Sequence, residues 1–481
     1  MANPLKQLAG ETAVYGFSSV LARVLNFLFV PIYTRSLTQE QYGVYSEFMA
    51  YIAIFQVVLV LGLETGCFHF ANKEGEDLRK VYSGALLAVV SINLAVLSLM
   101  IAFSDSITTA LGYAGYKSVI LYVSCILFCD SITAILFAKL RQEHKAKKFA
   151  TFKTIKIITE TGANLFLFFV YPARPDFTYP VLAVSISCVL CLLLFVPDLV
   201  RFKLVCDWSV VKRLLIYSLP LMVASLPGVA NDVLDRLLFR YFDKSSEVWR
   251  ASLGIYQAAV KLAVIMNLFI QMFRYASEPF FFQRAKEKNS KELYAVVMEY
   301  FTAFCGLVFL GIVGYIDIIS LLLGKDFREG IGVVPIMLLS YMLLGMLFNV
   351  NMWYKLSGRT KKAIWITFTG LLVTTVVNVV FMPKYSYWAS AFGHLASYLV
   401  MLIISVYLGS KYYPIPYNWK RIGSFFILIG LAYAVMYFTA PNDNGIHWLN
   451  IGLNTILIAF YAGVSWVILR QRNIPFYDRE D

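Results

Sequence analysis

Fourteen apolar stretches of about 20 residues follow one another along this chain, each long enough to cross a bilayer as a helix. They lie near 12–32, 44–66, 81–103, 118–138, 153–171, 180–200, 214–239, 254–276, 295–317, 331–354, 363–382, 388–409, 421–440 and 447–469. The links between them are too short to hold a folded soluble domain. In hydrocarbon every backbone N–H and C=O must be satisfied within the protein, and a helix does this within one segment. The expected fold is therefore an all-α integral membrane protein with fourteen transmembrane helices. Composition supports this: 59% of the 481 residues are apolar and only 15% charged, against about 25% charged in soluble domains. One water-soluble core could not hide that surplus. Disorder, a coiled coil and a nucleic-acid-binding domain are excluded on the same ground.

The net charge of +13 has a topological explanation. With both termini and alternate loops on one side, that side collects thirty of the 42 Lys and Arg, and the other side collects nine. The positive-inside rule then puts both termini in the cytoplasm, and no nucleic-acid partner is implied. Lys145-Ala146-Lys147-Lys148 reads as a solvated cytoplasmic loop within reach of anionic lipid. No cleavable signal peptide is expected: Lys6 alone precedes the first span, which is too long and lacks a small-residue cleavage site.

Four landmarks recur in step. Gly43-Val44-Tyr45 matches Gly254-Ile255-Tyr256, and Tyr82 matches Tyr294. Leu111-Gly112 matches Leu323-Gly324, and Lys139-Leu140 matches Lys355-Leu356. This predicts two pseudo-symmetric six-helix lobes, residues 1–213 and 214–410, with helices 13–14 and a cytoplasmic tail as an appendage over 411–481. An even number of spans per lobe puts the pseudo-twofold axis along the membrane normal. Such repeats suit alternating access around a site between lobes.

Ionisable residues at membrane depth are costly, and they usually mark water, substrate or a partner. In span 1, Ser19, Arg23 and Asn26 share a helical face and form a polar stripe with a fixed cation. Span 7 carries Pro220, Pro227 and Gly228, then Asn231, Asp232, Asp235 and Arg236; Pro removes a backbone donor and bends a helix. Asp232 and Arg236 are four apart and can simply pair. Lys261 in span 8 either pairs with Asp235 or points into a cavity. Three core cations against two anions favour an anionic ligand. Glu64 and the Lys156–Glu160 pair read as structural, His69 and His394 as packing residues, and Gly306, Gly311 and Gly314 as points of close helix contact.

Several chemistries have no signature here. There is no G-x-x-x-x-G-K-[ST] phosphate loop. Cys188-x-x-Cys191 and Cys125/Cys129 lie within spans with nothing to complete a zinc site. Seven cysteines, nearly all in apolar segments, imply no disulfide framework. No nucleophile–base–acid set is recognisable, so neither an enzyme nor a cofactor is expected.

Three segments carry a family resemblance: Gly16-Phe17-Ser18-Ser19-Val20-Leu21-Ala22-Arg23, Pro31-Ile32-Tyr33-Thr34-Arg35-Ser36-Leu37-Thr38 and Gln41-Tyr42-Gly43-Val44-Tyr45. Together they resemble the Wzx-type polysaccharide flippases of the MOP (MATE-like) exporter superfamily. Asp235-Arg236, followed by Gly254-Ile255-Tyr256-Gln257-Ala258-Ala259-Val260-Lys261-Leu262, resembles the start of that family's second half. The resemblance implies two lobes in a V around a central cavity. It implies that undecaprenyl-pyrophosphate-linked oligosaccharide moves from the cytoplasmic to the periplasmic leaflet of a bacterial inner membrane, for O-antigen, capsule or exopolysaccharide synthesis. Other polysaccharide-assembly proteins would be partners beside the lipid-linked substrate and the bilayer. It assigns the cavity cations to Arg23, Arg236 and Lys261, and Ser19, Asn26 and Asn231 would join them. An alternative on the same scaffold is a cation-coupled multidrug exporter of the MATE type, with Asp232 and Asp235 at the coupling site. A membrane glycan polymerase or ligase would be expected to carry a large periplasmic loop, and the longest outer connection, 239–254, is small.

Overall fold

The computed structural model describes residues 21, 24–73, 76–171, 173–202, 204–243, 248–285, 287, 289–440 and 447–471. Among the described residues all regular structure is helical. Twelve helices there are long and apolar enough to cross a membrane. A further helix, Ala146–Phe169, is as long but carries Lys153, Lys156 and Glu160. The first expected span lies largely outside the described residues.

The chain divides into two compact units, Met1–Gly254 and Ile255–Asp481. The first contains α1 (Val30–Ser36), α2 (Gln39–Val60), α3 (Leu63–Ala71), α4 (Leu78–Ala102), α5 (Ser104–Ala110), α6 (Lys117–Gln142), α7 (Ala146–Phe169), α8 (Thr178–Arg201), α9 (Trp208–Phe242) and the start of α10 (Trp249–Arg284). Helix α2 starts sharply because Thr38 and Gln41 cap it reciprocally. The Gln41 N–H donates to Thr38 Oγ1 and the Thr38 N–H to Gln41 Oε1, each at 3.2 Å. Span 2 is broken at Leu61–Gly62, both left-handed (φ 58° and 67°). Gly62 is required there twice over, since a Cβ would also sit 2.6 Å from the Ser218 carbonyl of α9.

Helix α9 packs against α2, α3 and α4, so span 7 belongs by contact with the first unit. The expected bend at its prolines leaves the helix unbroken from Trp208 to Phe242. Pro220 and Pro227 are seven residues apart and share a face. The carbonyls they leave unpaired, four residues back, are those of Ile216 and Val223, whose side chains are exposed.

The second unit holds the rest of α10, α11 (Ser290–Gly314), α12 (Ile316–Ile319), a 3-10 segment (Lys325–Val333), α13 (Val334–Val350), α14 (Met352–Leu356), α15 (Lys361–Tyr385), α16 (Tyr387–Tyr412), α17 (Trp419–Thr439) and α18 (Trp448–Arg470). Helix α16 packs on α13 and α15. Buried Trp353 fastens α14 to α16 by donating Nε1–H to Ser405 Oγ at 3.0 Å, and that hydroxyl donates to Asn351 Oδ1 at 2.6 Å. The α17–α18 hairpin docks on α11, where Tyr461 donates to the Ala303 carbonyl at 3.0 Å. Gly306 makes room, since a Cβ would lie 2.1 Å from the Tyr461 hydroxyl. Gly314 approaches α18 less closely, with a Cβ 3.2 Å from Ile458, and Gly311 has nothing within 4 Å, contrary to its expected role in close contact.

Candidate functional site

Of the residues expected to form the site, Ser19 and Arg23 lie outside the described residues. Asn26 is exposed. On α9, Asn231 and Asp235 fall one turn apart on the face that packs inward and are 2% and 1% exposed. Asp232 is exposed and Arg236 half-buried. The Arg236 Nε is buried with no hydrogen-bond partner among the described residues. Its charge acts on the hydroxyls of Tyr42 and Tyr45, which stand on the first two turns of α2. Those rings pack with Tyr33 of α1, with Tyr33–Tyr45 centroids 5.6 Å apart. Tyr33 donates to Asn164 of α7 at 2.8 Å. The first unit thus holds a tyrosine cluster fastened to Asn164, with the Arg236 charge acting on Tyr42 and Tyr45. Lys261 lies half-buried on α10 in the second unit.

One turn further along α2 lies a cluster that sequence reasoning did not single out. Glu47 is fully buried. Arg240 of α9 holds its carboxylate as a fork, with Nε to Oε1 at 2.7 Å and Nη2 to Oε2 at 2.9 Å. Tyr51 donates to Oε1 at 3.2 Å, and Tyr113 donates to Oε2. The remaining Arg240 nitrogen, Nη1, donates to the Leu111 carbonyl at 2.8 Å. Arg240 and Arg250 both lie over the Tyr113 and Trp249 rings, at 4.7 to 5.2 Å. A buried carboxylate is tolerable only when paired and hydrogen-bonded, and this one has four donors. Burial, then the Glu47 carboxylate, push the Tyr113 hydroxyl above its ordinary value, so it stays protonated and donates. The cluster ties α2, the α5–α6 connection, the end of α9 and the start of α10 together. The signal in the sequence was Glu47 itself, an acid in the first turns of an apolar span; Arg240 had counted only as one of nine outer-side cations.

A half-buried pair corrects an expectation. Lys156 does not pair with Glu160; its Nζ lies 2.5 Å from Asp130 Oδ1 on α6. Long-range packing replaces a spacing of four because α7 turns that face toward α6 and α8. Glu64 is structural, bound by Arg141 at 3.0 Å. His69 stacks on Tyr217 at 4.2 Å, and His394 is 5% exposed and packs beside Tyr398. No group of side chains suited to a metal ion occurs among the described residues.

Twelve long, apolar helices among the described residues define a multi-pass membrane protein. Its fold is shared with known transporters. One is the lipid II flippase MurJ in an inward closed conformation, with a TM-score of 0.76 and 14% identity over 95% of this chain and 99% of that one. Another is an inward-facing multidrug resistance MATE family transporter of the MOP superfamily, with a TM-score of 0.62 and 13% identity over 81% and 95%. A third is MATE in complex with MaD3S, with a TM-score of 0.59 and 14% identity over 85% and 96%. No curated protein matches. The polysaccharide biosynthesis protein family matches residues 8–285. The chain belongs to that family.

Proposed function

We propose that this protein is a flippase that carries undecaprenyl-pyrophosphate-linked oligosaccharide across the bacterial inner membrane by alternating access, for surface polysaccharide synthesis. Both termini face the cytoplasm. One observation carries the reading: a member of a polysaccharide biosynthesis family has, over 95% of its length, the fold of a lipid II flippase. Pyrophosphate and sugars cannot enter hydrocarbon without leaving polar groups unsatisfied. A hydrated, cationic cavity replaces their hydration while the polyprenyl tail stays in lipid.

Arg23 binds the pyrophosphate through its planar fork of donors, with Ser19 and Asn26 beside it. Arg236, whose buried Nε lacks a protein partner among the described residues, supplies a second cation next to Asn231, and Lys261 a third on α10. The repeat assigns residues 1–213 and 214–410 to the two lobes that alternate. The Glu47–Arg240 cluster then lies at the periplasmic ends of its helices.

The test is the lipid-linked intermediates in a deletion strain. Undecaprenyl-pyrophosphate-linked oligosaccharide accumulates if the reading holds. Drug sensitivity without a glycan defect would instead mark the MATE-type exporter, with Asp232 and Asp235 as coupling carboxylates.

A further inference from the structure

A pocket of about 520 Å³ opens in the second unit, where α11 ends, α13 and α16 begin and the α17–α18 hairpin closes over them. That volume suits a small ligand. Its polar wall carries Asp317, Asn450 and Asn454 beside the aromatic side chains. The Asn454 Nδ2 donates to the Gly314 carbonyl, which ends α11, at 2.8 Å. A carbonyl can only accept, so this bond fixes the amide orientation. It leaves Asn454 Oδ1 buried without a hydrogen-bond partner among the described residues, on a side chain 4% exposed. One turn earlier, Asn450 Oδ1 is likewise buried and without a partner. Asp317 adds a carboxylate, which burial pushes above its ordinary value and His447 draws back. The other walls are aromatic. Tyr433 and Tyr437 stand one turn apart on α17, and the Trp388 ring lies against Gly332, where a Cβ would meet it at 2.7 Å.

The Asp317 carboxylate and the π faces, with no Lys or Arg among the described lining residues, match an ammonium group. It would donate to that carboxylate and be attracted by the rings. The pocket lies at the ends of membrane-spanning helices, beside exposed Trp448 and Tyr437, residues typical of the bilayer interface. Helices α17 and α18 also expose Ile427, Leu431, Ile456 and Phe460, which can take acyl chains. We propose that this pocket binds the primary ammonium head of a phospholipid, phosphatidylethanolamine. The inference is independent of what the protein transports.

The full-length protein in detergent is titrated with dioleoyl-phosphatidylethanolamine, its N-acetylated form and dioleoyl-phosphatidylglycerol, and bound lipid is read by native mass spectrometry. The ethanolamine lipid is expected to be retained about tenfold better than the other two. In Asp317→Asn, with an unchanged melting temperature, the preference falls to near parity. Equal retention of the three lipids by the wild type overturns the proposal, as does an unaltered preference in Asp317→Asn. Displacement of no lipid but protection of the pocket by free maltohexaose also overturns it, marking a sugar site instead.

Discussion

Gly43 and Gly254, the matching positions of the sequence repeat, lie against each other in the structure. A Cβ on Gly43 would sit 1.9 Å from the Arg250 carbonyl oxygen and 3.1 Å from the Gly254 nitrogen. A Cβ on Gly254 would sit 2.0 Å from the Gln39 carbonyl oxygen and 3.1 Å from the Gly43 nitrogen. The contact is reciprocal: each glycine meets the other and the carbonyl four residues before it.

Gly43→Ala and Gly254→Ala should therefore each force the two backbones apart. The expected cost is about 1–3 kcal/mol, read as a lower melting temperature of the purified protein. Gly228→Ala, which meets nothing within 4 Å, should be neutral or slightly stabilising. Equal melting of all three variants would contradict the contact.

Glu47→Gln keeps the shape of the side chain but leaves the Arg240 guanidinium, with 13% of its side chain exposed, without its counter-charge. Loss of one partner from a buried pair costs about 3–5 kcal/mol. Amide exchange over residues 108–116 should accelerate accordingly, because Tyr113 and Leu111 are held by the same cluster. Unchanged exchange would show that the ion pair does not hold that connection.

Asp130 and Lys156 form a half-buried pair. Asp130→Asn alone should lower the melting temperature markedly. Combining it with Lys156→Met should recover most of the loss, since replacing both charges removes the stranded ion. A strictly additive double variant would mean the two side chains do not act on each other.

Gly306→Ala and Gly311→Ala make a matched test of hairpin docking on α11. The first places a methyl group against Tyr461 and Ile429, and the second meets open space. Only Gly306→Ala should make the α17–α18 connection more susceptible to limited proteolysis. Equal susceptibility would put the close approach elsewhere.

Much of this architecture was legible in the residues, because bilayer thickness fixes a length that hydropathy reports directly. Gly43 and Gly254 stood out in the sequence, and a close backbone crossing tolerates only glycine at both positions. What was hidden depends on which helices meet. Lys156 looked paired with Glu160 along its own helix, yet its partner Asp130 comes from another. Gly311 looked like Gly306 in sequence and differs only in what stands opposite. The Glu47 cluster draws on residues 47, 51, 113 and 240, and no local pattern joins them. Two span-7 carboxylates that looked equivalent, Asp232 and Asp235, lie three residues apart and are exposed and buried respectively.

The account is tested most directly by reconstituting the purified protein in liposomes with a fluorescent undecaprenyl-pyrophosphate-linked oligosaccharide. The fraction of label that reaches the opposite leaflet is then measured. Wild-type protein should move it well above empty vesicles. Arg23→Lys should keep part of the rate, and Arg23→Ala, at equal protein level, should drop by about tenfold or more through loss of a charge-assisted contact to phosphate. Folded wild-type protein that leaves the label where it began, or an Arg23→Ala variant that moves it at full rate, would contradict the account.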